Sequence, residues 1–265
     1  MLAANMTVAT TIPQTALVTG AVRRIGRAIA LDLAHHGWAV GVHYGRSKLE
    51  AESVVAEIRD AGGTAAPLQA DLSVEAEVQT LVARATDALG SVGLLVNNAA
   101  AFEDDSALKV TRASWDKHME TNLRAPFVLS QVMAAALQDM IESDGIIINI
   151  LDQRVRNLTP NFISYTLSKA GLWTLTRTLA MALAPRIRVN AIGPGPTLRS
   201  DRQSEEQFQR QWQAVPLQHG PSVAEICDAI RFLIAAPSVT GQMIAVDGGE
   251  NMGWAQPSQG IVHDE

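Results

Sequence analysis

Tyr165 and Lys169 stand four residues apart, and Asp152 precedes them at the end of the run Gly145-Ile-Ile-Ile-Asn-Ile-Leu-Asp152. At that spacing a tyrosine and a lysine share one face of a helix. A lysine beside a phenol favours the phenolate and lowers its pKa. The tyrosine then serves as proton donor and acceptor near neutral pH. Asp152 adds a carboxylate that can accept hydrogen bonds or handle a proton. Alone, Tyr-x-x-x-Lys also occurs on ordinary solvated helix faces, so its meaning depends on what the rest of the chain builds around it.

Four of the five residues in Ile146–Ile150 are isoleucine, which reads as a strand buried on both faces, as in a parallel sheet. Asp152 therefore leaves the sheet at a strand's carboxyl end, where ligands sit in open α/β folds. Thr15-Ala-Leu-Val-Thr19 is another buried-strand pattern. Gly20-Ala-Val-Arg-Arg-Ile-Gly26 follows, and Ile25, Ala28, Ile29, Leu31 and Leu33 open a helix. Strand, glycine turn and helix in that order are what a phosphate-binding loop requires. Gly20 allows the tight turn and Gly26 the close approach of helix and sheet. The helix start at Arg24 and Ile25 offers free N–H groups to a pyrophosphate. Arg24 occupies a position often held by a middle glycine and can bring a direct charge to the site; the bland alternative is a plain βα turn.

The second strand, Trp38-Ala-Val-Gly-Val-His43, ends in Tyr44-Gly-Arg-Ser47. An NAD site commonly places an acidic residue here for the ribose hydroxyls, but no Asp or Glu lies between Trp38 and Lys48. Arg46 and Ser47 instead offer a guanidinium fork and a hydroxyl suited to a 2′-phosphate, which favours NADPH over NADH. Ser47-Lys-Leu-Glu50 also matches a capping box, so Arg46 carries more of that argument. A weak strand over 65–69 leads to Asp71 and Leu72, candidates for the adenine edge. Leu94-Leu-Val-Asn-Asn-Ala-Ala100 is a strand ending in amides, where Asn97, Asn98 and Ala99 can hold backbone or cofactor, or simply make a turn. Phe102 follows, able to stack on a flat ring or to serve as core.

Residues 113–140 read as one long helical stretch with a kink or break at Pro126. Asn122, one turn earlier, can bond a freed carbonyl or a water. The Tyr165 helix runs to about Leu183. A strand over Arg188-Val-Asn-Ala-Ile192 leads to the rigid turn Gly193-Pro-Gly-Pro196. Residues 197–216 are polar, carry Phe208 and Trp212, and read as a mobile lid. A helix over 222–236 and a strand at Met243-Ile-Ala-Val-Asp-Gly-Gly249 complete the pattern.

This alternation implies a single-domain, doubly wound parallel sheet of about seven strands flanked by helices, a Rossmann-type α/β fold. The expected boundaries are an N-terminal tail over 1–14, the domain over 15–250 and a C-terminal tail over 251–265. The chain has 265 residues, 47% hydrophobic and 18% charged, which suits one large domain. A net charge of -6 gives no electrostatic case for nucleic acid or anionic membrane. The single cysteine, Cys227, lies in a helical apolar pattern and reads as packing rather than a reactive thiol. The histidines lack metal-ligand spacing, so no catalytic metal is expected. No apolar run approaches the ~18 residues of a membrane span, and residues 1–13 lack a signal peptide's basic start. A cytoplasmic location is expected.

Thr19-Gly-x-x-x-Arg-Ile-Gly26, Asn97-Asn-Ala, Asn122, Tyr165-x-x-x-Lys169, Pro194-Gly195 and Asp247-Gly-Gly occur together and in order. In this the chain resembles the short-chain dehydrogenase/reductase family from about Ala16 to Gly249. Two departures narrow the resemblance. Asp152 stands where the family usually has a serine, and Arg24 replaces the usual second glycine. With His43-Tyr-x-Arg-Ser47 and Phe102, these resemble the pteridine reductase subgroup. The resemblance implies that Phe102 sandwiches a pterin against nicotinamide and that Asp152 and Tyr165 supply the proton. The resemblance also puts Pro194 and Gly195 beside the cofactor. The working hypothesis built on it has Lys169 hold the ribose, Asn122 order a water beside Lys169, and Arg24 meet pyrophosphate or the substrate's polar edge. Phe162 stands where the subgroup often has a tyrosine, and Phe208 lies near its lid aromatic. Family members usually assemble through the helices near 113–140 and 165–183, which implies a homo-oligomer, tetramer rather than dimer.

Chemistry supports the swap at position 152 independently. Ketone reduction builds negative charge on oxygen, which a neighbouring carboxylate opposes, whereas reduction of C=N needs a proton at nitrogen. The expectation is an NADPH-dependent reductase of a pterin- or folate-like substrate. Its rivals are a generic carbonyl or 3-oxoacyl reductase and a non-catalytic NADP-binding sensor.

Overall fold

Strand and helix alternate along the chain: β1 (Thr15–Val18), α1 (Arg24–His35), β2 (Ala39–Tyr44), α2 (Lys48–Asp60), β3 (Ala65–Gln69), α3 (Glu75–Leu89) and β4 (Val92–Asn97). The second half continues with α4 (Arg112–Met119), α5 (Ala125–Gln138), β5 (Gly145–Ile150), α6 (Ile163–Ala182), β6 (Ile187–Pro194), α7 (Glu205–Ala214), α8 (Val223–Ala235) and β7 (Met243–Val246). The computed structural model describes residues 11–138, 140, 143–200 and 202–253. The strands form one seven-stranded sheet in the order β3-β2-β1-β4-β5-β6-β7, and every pairing is parallel. The order reverses between β1 and β4, where diverging loops open a crevice at the carboxyl ends.

The isoleucine run builds the centre of this sheet. Ile146, Ile148 and Ile150 pack on one face with Ile29 and Leu33 of α1, Val54 and Ile58 of α2, and Ile226 and Ile230 of α8. Ile147 faces the other way, into a second core with Val78 and Leu81 of α3, Leu129 and Met133 of α5, and Leu179 of α6. Successive side chains leave a strand on opposite faces, so an unbroken apolar strand needs helices on both sides. Cys227 is buried in the first of these cores, and burial pushes its thiol up to about 11, as packing rather than reactivity requires.

Three elements differ from the sequence expectation. The stretch 113–140 is not one helix: a π-helical turn, Glu120–Arg124, separates α4 from α5. Pro126 has no N–H for the carbonyl of Asn122 four residues back, and the chain takes a wider turn there. Ser47 does occupy the N-cap of α2, but its side chain caps nothing. Arg23 instead donates to Ser47 Oγ at 3.1 Å and pairs with Glu50, which dismantles the expected capping box. The polar stretch 197–216 holds a helix, α7, opened by a formed capping box between Ser204 and Gln207. None of its residues is fully buried, so it lacks the apolar stripe that would announce it.

Residues 11–14, assigned to the N-terminal tail, run against the domain. Thr11 bridges Ser143, and Ile12 packs on the first core. The rest of that tail, and residues 254–265 of the C-terminal one, lie outside the described residues.

Candidate active site

The glycine turn after β1 is fastened from three sides. Gly20 has φ +62°, and a side chain on Gly26 would sit 2.2 Å from the Gly20 carbonyl, so both positions need glycine. Asn98 donates from Nδ2 to the carbonyls of Thr19 (2.9 Å) and Gly20 (3.1 Å). The N–H groups of Asn98 and Ala99 meet Thr19 Oγ1 at 2.9 and 3.0 Å. From β2, His43 Nδ1 accepts from Gly20 N–H at 3.0 Å, and its Nε2–H donates to Ala70 O at 3.1 Å. Burial lowers the His43 pKa from 6.5 to about 4, keeping the ring in the neutral tautomer that can accept from Gly20.

Arg24 has φ 51°, a left-handed backbone that glycine adopts freely and that costs another residue roughly 1–2 kcal/mol. Its guanidinium donates to Arg199 O at 2.6 Å and Leu198 O at 2.9 Å, tying the turn to the segment after β6. At the end of β2, Tyr44 is buried in the core, while Arg46 is exposed. Arg46 makes no ion pair among the described residues. Asp71 accepts from Ser73 N–H at 2.9 Å and Ser73 Oγ–H at 2.6 Å, which lowers its pKa. Leu72 is buried beside it.

A cavity of about 720 Å³ opens at the crevice. It is lined by Gly20, Arg24, Ile25, Gly26, Asn98, Ala99, Phe102, Asp152, Tyr165, Lys169, Pro194, Gly195 and Phe208. Tyr44, Arg46, Ser47, Asp71 and Leu72 stand beyond its lining, at the ends of β2 and β3.

At its floor the Tyr165 hydroxyl donates to Asp152 Oδ2 at 2.9 Å. Asp152 Oδ1 accepts from Arg154 N–H at 2.8 Å, and Arg154 Nη1 lies 3.5 Å from Oδ2. Lys169 is 2% exposed; its Nζ donates to Ile150 O at 2.7 Å and lies 5.9 Å from the Tyr165 ring centre. Burial lowers its pKa from 10.5 to about 8, against the opposing pull of Asp152. Asn122 is fully buried: Oδ1 accepts from Ala101 N–H at 2.7 Å, and Nδ2 donates to Ala101 O at 2.9 Å and Ser168 Oγ at 3.0 Å. Phe102 stacks on Phe162 at 4.7 Å and lies tilted 4.6 Å from Tyr165.

Three further lining residues had no sequence signal of their own. Arg154 follows Asp152 by two positions, and Glu250 directly follows the Asp247-Gly-Gly turn. Burial and the nearby Asp152 raise the Glu250 pKa to about 7. Arg202 places its guanidinium 4.5 Å from the Phe102 ring centre; only the folded segment after β6 brings it there.

A doubly wound sheet with a fastened glycine turn, and an acid, a phenol and a buried lysine at one strand end, defines a dinucleotide-dependent oxidoreductase. The profile of a family described as Enoyl-(Acyl carrier protein) reductase matches residues 20–251. The 3-oxoacyl-[acyl-carrier-protein] reductase FabG of Staphylococcus aureus (strain Mu50 / ATCC 700699) is 35% identical over 244 residues, covering 90% of this chain and 98% of the relative. The corresponding reductase of Synechocystis sp. is 35% identical, covering 89% and 96%. Two solved structures share 48% identity and a TM-score of 0.89: FolM Alternative dihydrofolate reductase 1 from Brucella canis complexed with NADP, covering 94% of this chain and 98% of that one, and its Brucella suis counterpart in complex with NADP, covering 93% and 99%. The chain belongs to the short-chain dehydrogenase/reductase family.

Proposed function

We propose that this enzyme is an NADPH-dependent reductase of a pterin- or folate-like C=N substrate. The observation that carries the reading is the 2.9 Å bond between Tyr165 and Asp152 beneath the Phe102 ring. The glycine turn, fastened by Asn98, presents the N-terminus of α1 to a pyrophosphate, and a side chain at Gly26 would collide with the Gly20 carbonyl and the Asn98 amide that shape it. Arg46, exposed just past the end of β2, offers a guanidinium suited to a 2′-phosphate, and Arg23 and Ser47, bonded to each other nearby, add further donors. NADPH, when bound, supplies the hydride. Lys169 is the cation at the ribose side of Tyr165. Tyr165, which rests donating to Asp152, turns its hydroxyl proton to a ring nitrogen, so a new N–H bond forms as the O–H bond breaks; Asp152 then relays a replacement proton from solvent to the phenolate, restoring the hydroxyl. Phe102 offers a flat face to the heterocycle, with Phe208 at the cavity wall. The two FolM structures, solved with NADP, support both cofactor and substrate class.

The FabG relatives favour a second reading, a 3-oxoacyl reductase. Purified enzyme with NADPH is assayed on dihydrobiopterin, dihydrofolate and a 3-oxoacyl thioester, for wild type and Asp152→Ser. The proposal expects pterin or folate turnover in wild type, and in the variant a gain on the ketone. Ketone turnover alone in wild type, unchanged by the substitution, overturns it.

We further infer a cytoplasmic homo-oligomer, tetramer rather than dimer. Leu167 and Met181 on α6 are 47% and 75% exposed, an apolar face suited to pairing. No helix of the described residues is long and apolar enough to cross a membrane. Mass measurement in solution tests the assembly.

A further inference from the structure

Below the cavity lies a buried cluster that the proposed chemistry does not use. Asp105, His118 and Ser164 are 4%, 0% and 0% exposed. The three residue types are those of a hydrolase triad, but their order is wrong for one. In a nucleophilic triad the histidine stands between serine and carboxylate. Here Ser164 stands in the middle: its hydroxyl donates to Asp105 Oδ2, while His118 Nδ1 meets the same Ser164 Oγ at 2.6 Å. His118 Nε2 accepts from Glu103 N–H at 3.0 Å. That fixes the tautomer, because Nδ1 must carry the proton and donate to Ser164. The serine's own hydrogen is committed to Asp105, and no surface reaches it.

The termini of this chain of bonds reveal its purpose. His118 holds the backbone of Glu103, and Asn122 holds both the N–H and the carbonyl of Ala101. Phe102 is the single residue between these two anchored neighbours. Both anchors then bond to α6, His118 to Ser164 and Asn122 to Ser168. Ser164 and Ser168 are one helical turn apart and bracket Tyr165. Asp105 closes the frame, accepting from Phe162 N–H at 2.8 Å through its carbonyl and from Ser164 N–H at 3.2 Å through its carboxylate.

We propose that His118, acting with Ser164 and Asp105, is a positioning residue that sets the Phe102 ring against the Tyr165 phenol, and so sets the enzyme's affinity for flat substrates. The device rests on the reading of Phe102 as the face that meets the substrate ring. Its one contact with the catalytic set is the edge of the Tyr165 ring, 6.0 Å from the His118 ring centre; it makes no hydrogen bond to the glycine turn or to Lys169, so its effect is expected on the heterocycle rather than on NADPH affinity.

The two arms of His118 can be cut separately. His118→Gln places an amide oxygen near Nε2, keeping the acceptor for Glu103 N–H. His118→Asn places its amide near Nδ1, keeping the tie to Ser164 and losing Glu103. Loss of one buried backbone tie is expected to raise KM for dihydropterin about tenfold and lower kcat. The proposal expects this in His118→Asn, near-wild-type KM in His118→Gln, and unchanged NADPH affinity by fluorescence titration in both. Equal KM in the two variants, or a shift in NADPH affinity, overturns it. Ser164→Ala removes the bond to Asp105 as well as the one to His118, whereas His118→Gln leaves the Asp105 bond in place; it is therefore expected to raise KM above that of His118→Gln with the NADPH affinity intact, and a wild-type KM there also overturns the proposal. Wild-type turnover of dihydropterin is measured first, and its absence sinks the substrate reading alone. The clamp is then judged from a crystal structure of His118→Asn, where the Phe102–Tyr165 separation should exceed the wild-type 4.6 Å. An unmoved ring refutes the clamp.

Discussion

His43 links acidity to the cofactor turn, and its effect can be worked through. The ring accepts from Gly20 N–H and donates to Ala70 O. A second proton would place an N–H on Nδ1, directly facing the N–H of Gly20. Burial lowers the folded pKa from 6.5 to about 4. Between those values the unfolded chain holds more protons than the folded one, so stability rises with pH across the window. The contribution is fully present above 6.5 and is lost as pH falls through about 4. At 1.36 kcal/mol per pH unit that interval is worth about 3 kcal/mol. His43→Asn keeps an acceptor near Nδ1 and cannot titrate. Urea unfolding of both proteins, at one protein concentration, is followed from about pH 7 to about pH 4. The stability difference between them should narrow by about 3 kcal/mol, since titrations common to both cancel. NADPH affinity should weaken with the same apparent pKa, because the protonated ring pushes on the turn. A difference that stays constant with pH, or an NMR titration placing the His43 ring near 6.5, refutes the reasoning.

Tyr165→Phe removes the hydroxyl held by Asp152 and should lower kcat by at least ~100-fold, with NADPH binding retained in a fluorescence titration. Arg46→Ala should weaken NADPH by about 10–100-fold, the scale of a lost charged hydrogen bond, and leave NADH unchanged in a KM comparison. Lys169 loses its charge as pH rises through about 8, so the wild-type rate should fall above that pH. A kcat profile flat to about pH 9.5 would exclude a role for the lysine's charge.

The strands were legible because both faces of a parallel sheet are covered, so β1, β4 and β5 write themselves as near-continuous apolar runs, while β6 alternates with Arg188 and Asn190. Asp152, Tyr165 and Lys169 were legible because the fold brings one strand end and one helical turn together. Helix α7 was not, since its side chains are all at least partly exposed, although Ser204 and Gln207 carried its capping signal. The break at Glu120–Arg124 was legible as a kink at Pro126 but not as a π turn. The Ser47 cap failed through a competitor, Arg23, that no local pattern ranks. Arg202 and the Asp105–His118–Ser164 cluster join segments far apart in the chain, and spacing carries no trace of such contacts.

On the proposed reading, position 152 decides which substrates the site tolerates. Both oxygens of Asp152 are engaged, one by the Tyr165 hydroxyl and one by Arg154 N–H. A ketone oxygen reduced at Tyr165 must approach that hydroxyl closely, and so must also approach the carboxylate oxygen 2.9 Å behind it. Two unit negative charges about 4 Å apart repel by about 4 kcal/mol at an effective dielectric of 20. Arg154 offsets part of this, its Nη1 lying 3.5 Å from the same oxygen, but its charge is already shared with the carboxylate. A ring nitrogen that takes a proton as the adjoining carbon takes hydride develops no such negative charge. It leaves the site as an N–H donor, which the carboxylate favours. A full unit of charge is the upper limit, and there the repulsion corresponds to about a thousandfold in rate; the proposal therefore expects Asp152→Ser alone to admit ketones.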